Sequence, residues 1–169
     1  PFGPLVNGYP IPTNLRQIYN QLTRLKMEWD DDLDKADPEG ELAESWEQPD
    51  DSTLTFKLRQ GVKFQNIAPV NGRVFNSRDV KHSFENYQKT PISGYFESVD
   101  SITAVDDNTV QLKFSQPAAY FLNVISGPST SILPVELDEK NRRENPVGTG
   151  PFQLKGGEFQ QDQLVKYVR

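Results

Sequence analysis

The sequence predicts an α+β fold, mainly antiparallel hairpins or a mixed sheet with a few helices packed on them. Three observations carry that prediction. Residues 54–59 read Leu-Thr-Phe-Lys-Leu-Arg, the alternation of apolar and polar side chains that a strand with one buried face requires. Clusters of turn-forming residues, Pro49-Asp50-Asp51-Ser52 and Asp106-Asp107-Asn108, stand between such stretches. Apolar residues at helical spacing occur only in short runs among them, and no internal repeat is visible.

Taken in order, residues 1–12 are rich in Pro and Gly and predict extended loop. Thr13 then caps a helix that keeps Leu15, Ile18, Tyr19, Leu22 and Leu25 on one face. Residues 27–40 form an acidic loop. The segment 43–47 pairs with 54–59 as a first hairpin, with Trp46 and Phe56 on its buried face. Residues 101–105 and 109–114 form a second hairpin, whose turn residues tolerate positive φ. Asn76 or Ser77 caps a helix with Asp79 in its first turn and Val80, Phe84 and Tyr87 on one stripe. A second helix begins at Pro117, runs through 120–125 and stops at Gly127-Pro128. Finally, residues 146–151 (Pro-Val-Gly-Thr-Gly-Pro) make a rigid turn feeding a last strand pair, 152–155 with 164–168.

A chain of 169 residues is long enough to bury a real core, and its apolar fraction of 35% suits a globular protein. The net charge is -6 and no basic cluster is present, which argues against a nucleic-acid partner. The absence of cysteine removes disulfides, thiol nucleophiles and cysteine metal sites. No stretch approaches the ~20 apolar residues of a transmembrane helix. Both ends read as cut, so the lack of a leader segment carries no information about compartment.

Asp30, Asp32, Asp34 and Glu41 fall at positions 1, 3, 5 and 12 of a calcium-loop template, but Lys35 occupies the position that needs Gly. A solvated acidic loop is expected instead. His82 is the single histidine, and no Gly-x-Ser-x-Gly elbow supplies a nucleophile for it, so it reads as a surface residue. Nothing places two carboxylates across a cleft for hydrolysis. Gly148-Thr149-Gly150 lacks the third Gly of a dinucleotide loop, Gln153 standing there, and reads as a tight turn whose backbone comes close to its neighbours. No cofactor is implied. Most aromatic residues fall on predicted buried faces, but Tyr9 and Tyr95 lie in Gly-containing loops, where binding residues concentrate.

The order of several blocks resembles the oligopeptide/dipeptide/nickel-binding family of extracytoplasmic solute-binding proteins, family 5, of ABC importers. These are Ile18-Tyr19-Asn20-Gln21-Leu22-Thr23, Leu42-Ala43-Glu44-Ser45-Trp46-Glu47, and residues 56–64 (Phe-Lys-Leu-Arg-Gln-Gly-Val-Lys-Phe). Pro69-Val70-Asn71-Gly72-Arg73 with Ser77-Arg78-Asp79-Val80, and residues 145–152 (Asn-Pro-Val-Gly-Thr-Gly-Pro-Phe), complete the set. Two departures concern loops. Gln65-Asn66-Ile67 replaces the usual His-Asp-Gly, and Asn20-Gln21 stands where Glu-Gly is common.

The resemblance implies a two-lobe periplasmic-binding-protein-like fold of which this chain is part of lobe I. Residues 1–41 would be the N-terminal loop, helix and acidic loop, 42–145 a small α+β subdomain, and 146–169 a return segment. It implies a solute-capture protein and not an enzyme. The solute would be small, such as an oligopeptide, and an ABC permease would be its partner. Its place would be the periplasm or the outer face of the cell membrane, with membrane contact only through that permease or a lipid anchor outside this chain. The fragment itself is expected to be monomeric. Asn7, Gly8 and Tyr9 would face the ligand cleft and Tyr95 would reach its rim; the alternative for Tyr9 is packing against the first helix near Leu15. Other functions open on the same residues are a secreted hydrolase domain and a sensor or chaperone-like protein.

Overall fold

The computed structural model describes residues 16–26, 37–118, 120–127, 129–137, 146–154 and 167–168. Its centre is a four-stranded antiparallel sheet with spatial order β3-β4-β6-β5. The strands are β3 (Ala43–Asp50), β4 (Thr53–Leu58), β5 (Val99–Asp106) and β6 (Thr109–Phe114). Two short pairs lie outside it: β1 (Thr23–Leu25) with β2 (Pro38–Gly40), and β7 (Gln153–Leu154) with β8 (Tyr167–Val168). All three sheets are antiparallel, as the hairpin reading expects.

The period-two pattern fixes which face is buried. Leu54, Phe56 and Leu58 of β4 and Val110, Leu112 and Phe114 of β6 are all buried, while Lys57 and Lys113 point to solvent. Trp46 pairs directly with Phe56, ring centroids 6.4 Å apart, but only Phe56 is fully enclosed. Trp46 sits on the edge strand, and one flank of its ring stays half open.

Both hairpin turns have two residues, Asp51-Ser52 and Asp107-Asn108. Neither uses positive φ; Asn71 is the only described non-Gly residue that does. The preceding aspartate folds each turn instead. Asp50 Oδ1 accepts the Ser52 N–H and Asp106 Oδ1 the Asn108 N–H, each at 2.8 Å. Those backbone donors hold both carboxyls below the usual aspartate range.

Helix α1 (Ser77–Tyr87) starts at a complete capping box. The Asn76 side chain accepts from the Arg78 N–H, and the Asp79 carboxylate accepts from the Asn76 N–H. Val80, Phe84 and Tyr87 form its buried stripe. Phe84, Phe96, Phe114 and Phe121 then pack edge-to-face or tilted at 4.9–6.2 Å, locking α1 and α2 (Phe121–Ile125) to the sheet. Helix α2 does not begin at Pro117. The Ala118 N–H donates to the Asp51 carbonyl at 3.0 Å, which ties this lead-in to the first hairpin.

The expected helix over residues 13–25 is absent from its described part. After a 3₁₀ turn at Arg16 and Gln17 the chain passes through unassigned structure and a bend at Leu22 into β1. Ile18, Tyr19 and Leu22 are buried, as their apolar character demands, but not as one helical face. The carbonyls a helix would need are spent on distant segments: Gln17 on Phe152, Ile18 on Gly150, Asn20 on Ile132, and Leu22 on Glu41 and Ala43. The acidic loop likewise ends early, since Pro38–Gly40 is strand β2.

Candidate functional site

Four stretches of chain meet where residues 16–23 cross residues 146–152. Gly150 N–H donates to the Ile18 carbonyl at 2.7 Å and Phe152 N–H to the Gln17 carbonyl at 3.0 Å. A Cβ on Gly148 or Gly150 would fall inside the Ile18 and Gln17 carbonyls, so both positions need glycine for close approach and not for its φ range. The expected close approach of this backbone to its neighbours is present, while residues 149–151 form a bend rather than a tight turn. Gln65 joins from the loop after β4, its N–H donating to the Gly148 carbonyl at 2.9 Å. The fourth stretch is 126–132, where the Thr23 and Ser126 hydroxyls lie 2.8 Å apart and the Gln21 amide donates to the Gly127 carbonyl.

Polar side chains line the crossing. Thr149 Oγ1 donates to Asn20 Oδ1 at 2.9 Å, and Asn20 Nδ2 donates to Glu41 Oε1 at 2.8 Å. The other Glu41 oxygen accepts the Gln21 N–H at 2.8 Å. Arg16 reaches the Gln21 side chain and the Ser126 carbonyl at 3.4 and 3.3 Å. This arrangement offers directional hydrogen bonding around a frame fixed by glycine contacts. Among the described residues it holds no nucleophile–base pair.

Of the residues singled out in the sequence, Asn7, Gly8 and Tyr9 lie outside the described residues, as do Asp30, Asp32, Asp34 and Lys35 of the calcium template. Glu41, its last position, serves the crossing. Tyr95 stands on a 3₁₀ turn (Ser93–Phe96), and its side chain is 56% exposed while neighbouring Phe96 anchors the turn in the aromatic core. His82 is half-buried and meets the Asn86 amide at 2.9 Å, one helical turn along α1. Among the described residues, no cluster of three His, Asp or Glu side chains is arranged to hold a metal. An open hollow of about 600 Å³ lies at one end of the sheet, lined by Glu44, Lys57, Asp107 and Thr109 among others. Neither Tyr95 nor the crossing lines it, and Lys57 there is engaged with Thr109 at 3.0 Å.

The sequence did not bring Gln65, Asn20, Thr149 and Glu41 together: Glu41 stood out only in the calcium template and Thr149 only within the Gly-Thr-Gly turn. Gln65 and Asn20 stood out only as departures from the resembled motifs. Their partners are 129 residues away for Asn20 and 83–87 for Gln65, and no periodicity reports contacts of that span.

The strongest electrostatic feature lies on the α1 side. Arg73 reaches Asp79 through both terminal nitrogens, at 2.9 and 2.5 Å, and pairs with Glu136 as well. Asp79 is fully buried and also accepts the Asn76 and Val135 N–H groups, so this cluster ties the start of α1 to residues 133–136. Bonding to Arg73 pulls the Glu136 carboxyl down, and the two carboxylates push the guanidinium up.

Residues 37–169 match the family described as bacterial extracellular solute-binding proteins, family 5 Middle. The chain is 34% identical over 151 residues to the dipeptide-binding protein of Escherichia coli K12, which covers 75% of this chain and 28% of that protein. It is 31% identical over 189 residues to heme-binding protein A of Haemophilus influenzae, covering 97% of this chain and 33% of that one. Among solved structures, the solute-binding protein MoaA of A. tumefaciens R10 in complex with mannopinic acid superposes with a TM-score of 0.77. The identity there is 27%, over 92% of this chain and 31% of MoaA. The chain thus spans about a third or less of the length of these relatives. On this match and these identities, the chain belongs to the bacterial extracellular solute-binding proteins of family 5.

Proposed function

We propose that the whole protein is the solute-capture subunit of an ABC importer, working outside the cytoplasm and delivering its solute unchanged to a permease. The observation that carries this reading is the family match along residues 37–169. The favoured solute is a peptide or a related small molecule, supported by the dipeptide-binding relative. Capture by this class of architecture is a closure: a ligand that bridges two lobes shifts an open–closed equilibrium by its differential affinity for the closed state.

Asn7, Gly8, Tyr9 and Tyr95 are the residues we assign to the solute. Gly8 lets backbone approach the ligand, Asn7 carries an amide that both donates and accepts, and Tyr9 offers a flat face with a polar tip. We infer that a peptide's alternating N–H and C=O groups pair with the backbone of these residues. The exposed ring of Tyr95 supports its assignment to a rim.

Titration of the full-length protein with a dipeptide library tests the reading. Tyr9→Ala should weaken binding at least tenfold, about 1.4 kcal/mol, with unfolding midpoints unchanged. Unchanged affinity with a lowered midpoint would return Tyr9 to a packing role against Leu15.

A further inference from the structure

Gln65 is a polar side chain with only 7% of its surface exposed. Burying an amide is costly unless it is bonded, and here both N–H groups and the oxygen find partners. Nε2 donates to the Gly150 carbonyl at 3.0 Å and the Phe152 carbonyl at 2.6 Å, while Oε1 accepts the Gly148 N–H at 3.2 Å. One side chain therefore holds three alternate residues of the return segment. The N–H groups of Gly150 and Phe152 are taken by Ile18 and Gln17, so each of these two residues is clamped through both its backbone groups.

Register matters here for a steric reason. A slip by one residue would bring Val147 or Thr149 to the Gly148 position, where a Cβ collides with the Ile18 carbonyl. The glycines forbid the wrong registers, and the Gln65 amide rewards the right one.

We propose that Gln65 is a positioning residue for solute capture. Its amide sets the register of residues 148–152 against Gln17 and Ile18, the start of the described chain that follows in sequence the residues assigned to the solute. The link to capture rests on the solute-binding reading above; the hold on the return segment does not.

Two substitutions in the full-length protein test this. Gln65→Glu keeps the shape but sets a carboxylate oxygen against two carbonyl oxygens, and only a protonated Glu regains one donor. Gln65→Leu removes the amide without adding charge. Amide hydrogen exchange is read at Gly150 and Phe152, with β4 and β6 as internal reference, and affinity is read with a mixed dipeptide library. At pH 7, Gln65→Glu should lose at least tenfold of its protection at Gly150 and Phe152 while β4 and β6 keep theirs, and its dipeptide Kd should rise at least tenfold. Both should recover as the pH falls below about 5, toward the range where a Glu carboxyl protonates, with the wild type flat. Gln65→Leu should show the same local loss at every pH. Wild-type protection at Gly150 and Phe152 in either variant would overturn the proposal, and so would a loss spread evenly over β4 and β6, which marks an ordinary core residue. Equal dipeptide affinity despite the local loss would cut the link from the crossing to capture. A wild type that takes no dipeptide would overturn the solute reading, while the exchange measurements still decide the hold of Gln65.

Discussion

Removing the Arg73 guanidinium would leave Asp79, with a side chain of 0% exposure, as a buried carboxylate bonded only to neutral N–H groups. Breaking a buried pair from one side typically costs ~3–5 kcal/mol, so Arg73→Ala should lower stability by about that much in urea unfolding. Arg73→Lys should recover only part, because an ammonium cannot fork to two carboxylates as Arg73 does. The Glu136 carboxyl, held below its ordinary value by the same guanidinium, adds a pH signature. A depressed folded pKa stabilises fully above the unfolded carboxyl's pKa and is lost as pH falls through the folded one. Wild-type midpoints should therefore drop more steeply below about pH 4.5 than those of Arg73→Ala. At the aromatic pair, Phe56→Ala should cost ~3–5 kcal/mol. Half-buried Trp46→Ala should cost less, roughly half, since the transfer and cavity contributions scale with what is enclosed. The sequence marked both as core because alternation reports the face of a strand. It does not report that β3 lies at the sheet's edge, which is what opens one side of Trp46.

At the scale of elements, legibility followed the range of the interactions. The two hairpins and α1 were readable because their determinants are local: alternation, a two-residue turn beside an aspartate, and an Asn76–Asp79 capping box. Asn76→Ala should accordingly cost ~1 kcal/mol, the usual worth of an N-cap, measured in urea. The segment 16–25 was misread because its partners are remote. Its apolar spacing suits a helix, but carbonyls of residues 17, 18, 20 and 22 bond to chain between 41 and 152, and the backbone follows those bonds. The tight approach at Gly148 was visible as a motif, although what it approaches was not. Gly148→Ala places a methyl group into the Ile18 carbonyl and against the Tyr19 ring. Overpacking of this kind costs ~1–3 kcal/mol, and the loss should appear as faster exchange of the Gly150 amide before the sheet is affected.

For the molecule as a whole, the family was legible from ordered motifs, which in this structure fall on β3, β4, the loop into α1 and the close approach at Gly148 and Gly150. Ligand identity is written elsewhere, in side chains that motifs of fold do not constrain, and relatives named for a dipeptide and for heme share this same framework. Under the proposed function, the whole protein captures a small solute and releases it intact. Native mass spectrometry of the full-length protein, purified without denaturation, tests it most directly. Capture predicts a one-to-one complex with a small molecule that leaves on denaturation with its mass unchanged and rebinds when returned. A protein that carries no solute and converts an offered peptide into new masses would contradict it.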